Sequence, residues 1–315
     1  MGRFEGNATR FVYTPIANDA TRTAALLSGD IDFTHEAPPQ DVARLSQEPG
    51  IRLATGLENR IIYLGFGQYG DELLYSSVKG RNPFKDIRVR EAFYLAIDPD
   101  ALKTGTMRGQ SVPTGCLTPA AVGCLAPELE ARSPPDPTRA GKLLARAGYA
   151  QVFDITLDCP NDRYVNDQAL CIAIAGMLGR VGVKVRVDAR PKATYFKKVD
   201  LYDTSFFLLG WGGSTTDAQG ILDPTVHSFD ATTQKGSNNQ ARIHDTELDS
   251  LIDAAAVDMN TSRRSGLIAE ALRRTQRGFY YLPLHRQMLT WVSRTQVRPL
   301  LMPDNAVRVQ WIQID

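Results

Sequence analysis

Residues 204–224 read TSFFLLGWGGSTTDAQGILDP, and the rest of the chain can be read outward from them. Residues 204–209 are a short apolar run, consistent with a strand buried on both faces. The run breaks at Gly210-Trp211-Gly212-Gly213, where glycines allow close approaches that a Cβ would block. Ser214, Thr215 and Asp217 follow, a set of small hydrogen-bonding groups beside one large aromatic plate, Trp211. In open α/β sheets ligands lie beyond the carboxyl ends of strands, and this segment has that form. Two readings of Trp211 stand side by side: a stacking floor for a ligand, or a cap on the core, since Trp is highly buried on average.

The bulk properties bound the rest. The 315 residues suggest about two domains. Hydrophobic content of 43% and charged content of 23% are those of an ordinary globular chain. A formal net charge of +1 offers no field to hold nucleic acid or an anionic membrane. No apolar run approaches the roughly 18 residues of a membrane span. Met1-Gly2-Arg3-Phe4 lacks the charged and apolar regions of a secretion signal. Cys116, Cys124, Cys159 and Cys171 form two sequence-local pairs without CxxC spacing, so no metal and no cofactor is expected. Two short-loop disulfides fit an oxidising compartment; four buried thiols are the alternative, and spacing does not fix the connectivity.

In chain order, residues 18–33 read as a capped helix running into a strand, with Asn18 or Asp19 as the cap and Ala24, Leu26 and Leu27 inward. A short helix over 38–45 and a β-rich run over 60–66 follow, then a low-periodicity stretch, 68–82, that looks like a crossing between two bodies. Pro83 opens a helix with Ile87, Ala92, Phe93, Leu95, Ala96 and Ile97 on the apolar side and Arg88, Arg90 and Glu91 on the wetter side. Residues 111–135 are read as a long irregular surface loop. Asp136 is an N-cap with Pro137 in the first helical position. A strand (153–157), a polar loop (158–164), a helix (167–178) and a strand (183–187) make a parallel crossover unit. A helix over 191–199 leads into the opening strand. Two helices (246–255 and 262–279) and strands over 288–292 and 307–314 complete the pass. The order predicts one body inserted into another through two connecting strands, a joint that permits hinge motion.

At this point the chain resembles the family 5 solute-binding proteins of bacterial ABC importers, the dipeptide- and oligopeptide-binding group. The matching segments are RTAALLSGDIDF (22–33), YLGF (63–66), NPFKDIRVREAFYLAIDPDAL (82–102), GVKVRV (182–187), FFLLGWGGSTTDA (206–218), DTELDSLIDAA (245–255) and YLPLH (281–285). The resemblance implies an α/β fold of periplasmic-binding-protein type II, a monomeric periplasmic clamshell that closes on its solute and docks on a membrane permease. Complete members are much longer. The chain therefore reads as a C-terminal portion, with one lobe complete (78–282) and remnants of the other (1–77 with the hinge, and 283–315 with the return hinge). The signal peptide would belong to the missing N-terminal portion. Where dipeptide-binding relatives carry an Asp soon after Gly-Trp to receive a peptide's amino group, this chain has Ser214; Asp217 matches the next acidic position. A hydroxyl pairs with an ammonium more weakly than a carboxylate does, because charge-assisted hydrogen bonds are about twice as strong as neutral ones.

The candidate binding residues are Trp211, Gly212, Gly213, Ser214, Thr215 and Asp217, with Arg163 and Tyr164 from the loop after the 153–157 strand. Trp211 offers an apolar floor, the glycines expose backbone amides, and the hydroxyls adapt to an extended ligand held by its main chain. Arg163 matches a ligand carboxylate with a planar fork; the alternative is a surface Arg beside a helix-capping Tyr. Asn161 and Asp162 read as helix caps, and Tyr195 is a weaker candidate. His35, His227, His244 and His285 lie in no recognised hydrolase or metal motif. The expectation is capture of a peptide or peptide-like solute for import, without catalysis and without nucleic acid as partner. The competing readings are a hydrolase using His285 or Asp217, and a structural or signalling module that has kept the lobe but lost transport.

Overall fold

The computed structural model describes residues 5–124, 126–212 and 216–315. Among these, seven strands form one sheet: β1 (Phe33–Thr34), β2 (Ile51–Phe66), β3 (Ser111–Pro113), β4 (Phe153–Pro160), β5 (Val183–Arg190), β6 (Phe206–Gly212) and β7 (Tyr281–Arg294). The order is β1-β7-β2-β6-β4-β5, with β3 also on β7. β4 runs parallel to both β5 and β6, and β6 is antiparallel to β2. The carboxyl ends of β4, β5 and β6 therefore share one edge, where the loop after β4 packs on β6 through Tyr164. A two-stranded pair, β8 (Val297–Arg298) with β9 (Gln313–Ile314), stands apart.

Side-chain alternation divides the body of the sheet into two cores. Ile62, Leu64 and Phe66 of β2 and Phe206 and Leu208 of β6 face one side, beneath helices Ile87–Ala96 and Asp167–Gly179. Tyr63, Phe207 and Leu209 face the other, against helices Lys192–Asp200, Thr246–Val257 and Thr261–Arg277. A strand covered on both faces reads as a continuous apolar run, which is why FFLL carries no polar alternation. Asp136 caps helix Pro137–Arg146 by accepting from the Arg139 amide, as its position before Pro predicts. Both cysteine pairs are disulfides, Cys116–Cys124 and Cys159–Cys171.

Several expectations are corrected. Arg90 is buried, while Ile87 is 46% exposed. The Arg90 guanidinium donates to the carbonyls of Phe84 and Gly278, and burial pulls it down to about 10. The helix turns its arginine inward because two free carbonyls wait there. Residues 111–135 are irregular but not superficial: Thr114, Cys116, Leu117 and Thr118 are buried. In helix Asp19–Ser28 the buried residues are Thr23 and Leu26, with Ala24 exposed. The 307–314 segment holds only a turn of 3-10 helix and the two residues of β9. Residues 68–82 lie against the body, with the Gln68 amide donating to the Ala241 carbonyl and the Ser77 amide to the Asp154 carbonyl. The two longest strands, β2 and β7, pair along their length. Their pairing shifts register between Leu57/Ile61 and again between Ile62/Tyr63, and such bulges bend a strand pair.

Candidate functional site

β6 ends where Tyr164 lies across it. A Cβ on Gly210 would sit 2.7 Å from Ile62 Cδ1 and 2.8 Å from Tyr164 Cε1, so only glycine lets the ring rest on the strand. The Tyr164 hydroxyl donates to the Gly210 carbonyl at 3.3 Å. A Cβ on Gly212 would lie 2.8 Å from the Asn59 carbonyl oxygen, so that glycine also serves strand-to-strand contact.

The loop from β4 is held at three points. The Asp167 carboxylate accepts from the amides of Arg163 and Tyr164, each at 3.0 Å. The Cys159–Cys171 disulfide ties the end of β4 to the helix beyond the loop. Asn166 takes a left-handed conformation, and its side-chain amide donates to Thr106. Burial raises the Asp167 carboxyl, opposed by its backbone donors. Asp162 caps a different helix from the one expected, accepting from the Lys192 amide across the loop after β5.

Arg163 lies with its guanidinium carbon 5.1 Å from the centroid of the Tyr164 ring, and Arg60 of β2 lies 5.7 Å from the same ring. Arg60 Nε donates to Glu58 Oε1 at 2.8 Å. Glu58 Oε2 accepts from Gln287 Nε2 at 2.8 Å, and Gln287 Oε1 accepts from the Val165 amide at 3.1 Å. Burial raises the Glu58 carboxyl, and the Arg60 guanidinium opposes it. A polar chain thus runs from the register shift of the long strands to the loop bearing Arg163 and Tyr164. Glu58, Arg60 and Gln287 were not read from sequence. A signal was available: Glu58 and Arg60 are two apart at the mouth of an apolar strand, which puts both charges on one face.

The expected constellation is only partly brought together. Arg163, Tyr164 and the backbone of β6 converge on the Arg60 face. Trp211 pairs with Ile61 and points to the opposite face, half-buried against the second core, with its Nε1 donating to Gly220 at 3.0 Å. The Asp217 carboxylate is bound to Arg264 at 2.9 Å, which holds it below the usual carboxylate range, and it accepts from the Gln219 amide. Gly213, Ser214 and Thr215 lie outside the described residues. Tyr195 is a core residue, fully buried, donating to the Leu208 carbonyl. His285 is buried within the sheet, and its Nε2 has no hydrogen-bond partner among the described residues. His227 lies 3.3 Å from Asp253, but Lys235 already pairs with that carboxylate and the His227 Nδ1 meets the Ser228 carbonyl. Among the described residues no helix is long and apolar enough to cross a membrane, and no three His, Cys, Asp or Glu side chains converge as a metal site.

A parallel-edged α/β body with a loop packed on a strand end and two long antiparallel strands is the architecture of a periplasmic binding protein. Residues 4–233 match the family model described as bacterial extracellular solute-binding proteins, family 5, middle region, and the chain belongs to that family. It is similar to heme-binding protein A of Haemophilus influenzae, 24% identical over 83% of this chain and 46% of that protein. It is similar also to the glutathione-binding protein GsiB of Shigella flexneri, 26% identical over 69% of this chain and 41% of that protein. Among solved structures, the peptide-complexed periplasmic binding protein DppA of Helicobacter pylori aligns with a TM-score of 0.82 at 20% identity, over 95% of this chain and 56% of that one. The agropinic acid complex of AgaA from A. tumefaciens R10 aligns with a TM-score of 0.81 at 21% identity, over 95% and 59%. The chain spans less than half the length of these two curated relatives. These relatives and neighbours are binding proteins by name.

Proposed function

We propose that the chain belongs to an extracytoplasmic, periplasmic receptor that grips a peptide or peptide-like solute and delivers it unchanged to the permease of an ABC importer. The observation that carries this reading is the packing of the β4 loop on the end of β6 through Tyr164, with the Arg163 guanidinium stacked by Tyr164 and no carboxylate paired to it among the described residues. Arg163 would take a ligand carboxylate through its fork. The half-buried Trp211 would flank the opening from the other face, and Gly212, Gly213, Ser214 and Thr215 would supply backbone and hydroxyl partners. Asp217, committed to Arg264, would act through that pair rather than on a ligand ammonium. The division into a complete lobe and a partial one, jointed at the register shifts of β2 and β7, belongs to the same proposal, as does a monomeric state.

Mass spectrometry of solute co-purified with the full-length protein tests the reading. The expected result is a peptide-like mass that prolonged incubation leaves unchanged. Its conversion to products would support the hydrolase alternative. Calorimetry of this chain alone against peptide mixtures should give only weak heats, because a clamshell gains most of its affinity on closing with both lobes; nanomolar binding would contradict that.

A further inference from the structure

Gln287 stands where β2 bulges. Leu57 pairs with Met288 and Ile61 with Arg286, so Glu58, Asn59 and Arg60 together face the single residue Gln287. Such a bulge bends its strand and re-aims the side chains on it. Gln287 Nε2 donates to Glu58 Oε2 at 2.8 Å, and Gln287 Oε1 accepts from the Val165 amide at 3.1 Å. In the β4 loop the Asp167 carboxylate holds the amides of Arg163 and Tyr164. The next amide, that of Val165, is held by Gln287.

A second seat for the same side chain lies across the other strand. Ser111 of β3 pairs with Gln287, and directly opposed residues share a face, with Cβ atoms about 5 Å apart. Ser111 is buried, and its hydroxyl oxygen has no hydrogen-bond partner among the described residues. A buried polar group left unpaired costs free energy, so the Gln287 amide has a competing destination. The charge on Glu58 decides between the two. A hydrogen bond to an ionised carboxylate is about twice as strong as one between neutral groups. Ionised Glu58 therefore keeps Gln287, and a protonated Glu58 gives up that advantage. Burial raises the Glu58 carboxyl against the pull of Arg60, so it takes up its proton before exposed carboxylates do. The other charges acting on it are Glu36 and Arg163. The titratable group nearest Gln287 on β7 is His285, which burial holds down to about 4.

We infer that Gln287 is a two-position latch for the β4 loop, set by the protonation of Glu58: ionised Glu58 holds it on Val165, and protonated Glu58 lets it turn to Ser111. Glu58, Gln287 and Ser111 are thus positioning residues. The inference rests on the solute-capture reading for its consequence alone: in acid the loop bearing Arg163 and Tyr164 loosens, and the solute is held less tightly.

The test uses the isotope-labelled intact chain, titrated between about pH 7 and pH 4, the interval in which a raised carboxyl changes charge. The carboxyl-carbon shift of Glu58 gives its titration directly, and the backbone amide shift of Val165 reports the latch. In the parent the two should move together with one midpoint. In Gln287→Leu, Glu58 should still titrate while Val165 no longer follows it. In Glu58→Gln the Val165 shift should stay flat, and in Ser111→Ala, which removes the second seat, its movement should shrink. A melting curve at each pH shows that the chain is folded. If Glu58→Gln fails to fold, the other two variants carry the comparison. A Val165 shift that ignores the Glu58 midpoint, or still follows it in Gln287→Leu, overturns the inference.

A mixed dipeptide library added to the same samples tests the consequence. The parent should bind about 3- to 10-fold more weakly below the Glu58 midpoint than above it, the factor of one ordinary hydrogen bond. Gln287→Leu should show no such drop, and equal drops in both overturn the positioning role. No binding at either pH counts against solute capture, while the paired shifts still decide the latch.

Discussion

β2 and β7 pass through two unlike surroundings. Near residues 62–66 they are covered on both sides, and Phe66, Phe84, Phe93 and Phe206 touch one another at centroid distances of 4.7 to 5.8 Å. Toward residues 51–57 and 288–294 the buried apolar cluster shrinks to Leu26, Ala37, Leu45 and Val292. There β7 buries Leu289 and Trp291, the latter edge-on to Phe33, and polar side chains beside them: Thr290 meets Thr55 and Gln110, and Ser293 donates to Val297. The difference shows what holds each end. The first is held by close packing of rings, where loss of one leaves a void. The second is held by hydrogen bonds and a thin apolar layer, so it can yield locally while the body stays folded.

The largest effect expected from breaking this contrast is that of Phe206→Ala. Removing a ring from the four-phenylalanine contact should cost about 3 to 5 kcal/mol, read as a fall in the denaturant midpoint of the whole body. A loss below about 1 kcal/mol would mean the rings are not packed as described.

His285, on β7 where the two surroundings meet, gives the next effect. Burial holds its imidazole down to about 4, so the folded protein keeps it neutral while an unfolded chain, with a pKa near 6.5, takes up a proton. Its contribution is complete above pH 6.5, declines as pH falls, and is gone by about pH 4, a loss of about 3 kcal/mol. Stability curves of the parent and His285→Gln should diverge across that interval, with the variant the flatter. Parallel curves would place the imidazole in contact with water.

Leu26→Ala, in the thin cluster, should cost about 2 kcal/mol, at the low end for a buried leucine, because half-buried Leu27, Ile31 and Val42 can settle into the space. Hydrogen exchange should speed up over residues 19–57 and 288–294 and leave the slowest amides of β4 and β6 alone. Acceleration throughout would make the two regions one cooperative unit. Smallest is Asp136→Ala, which removes a helix cap and should cost about 1 kcal/mol, with faster exchange confined to the first turn of Pro137–Arg146.

Much of the body was legible because its signals are local. Asp136-Pro137 marks a helix start, FFLL a doubly covered strand, and the 153–187 pattern a strand–helix–strand unit whose parallel pairing follows from its connection. Arg90 was misread for the opposite reason: a charge on a helix reads as wet unless the carbonyls of Phe84 and Gly278, the latter 188 residues away, are known to meet it. The site was half legible. Arg163 and Tyr164 stand in a polar loop after a strand, and their convergence with β6 follows once β4 and β6 are neighbours. That Trp211 turns to the other face depends on register, since one residue's shift reverses every side chain.

What the order of residues determined alone is the kind of protein: an α/β body with glycine-broken strand ends, two local cysteine pairs, and family segments in sequence from 22 to 285. Those features rest on nearest-neighbour chemistry and periodicity, which a linear string contains. Which charges face one another came only from the folded chain. Glu58 and Gln287 are 229 residues apart, joined by one hydrogen bond across a strand bulge, and no local rule places a bulge. Arg60 and Arg163 come to one tyrosine ring because the sheet sets β2 beside β6, on which the β4 loop rests.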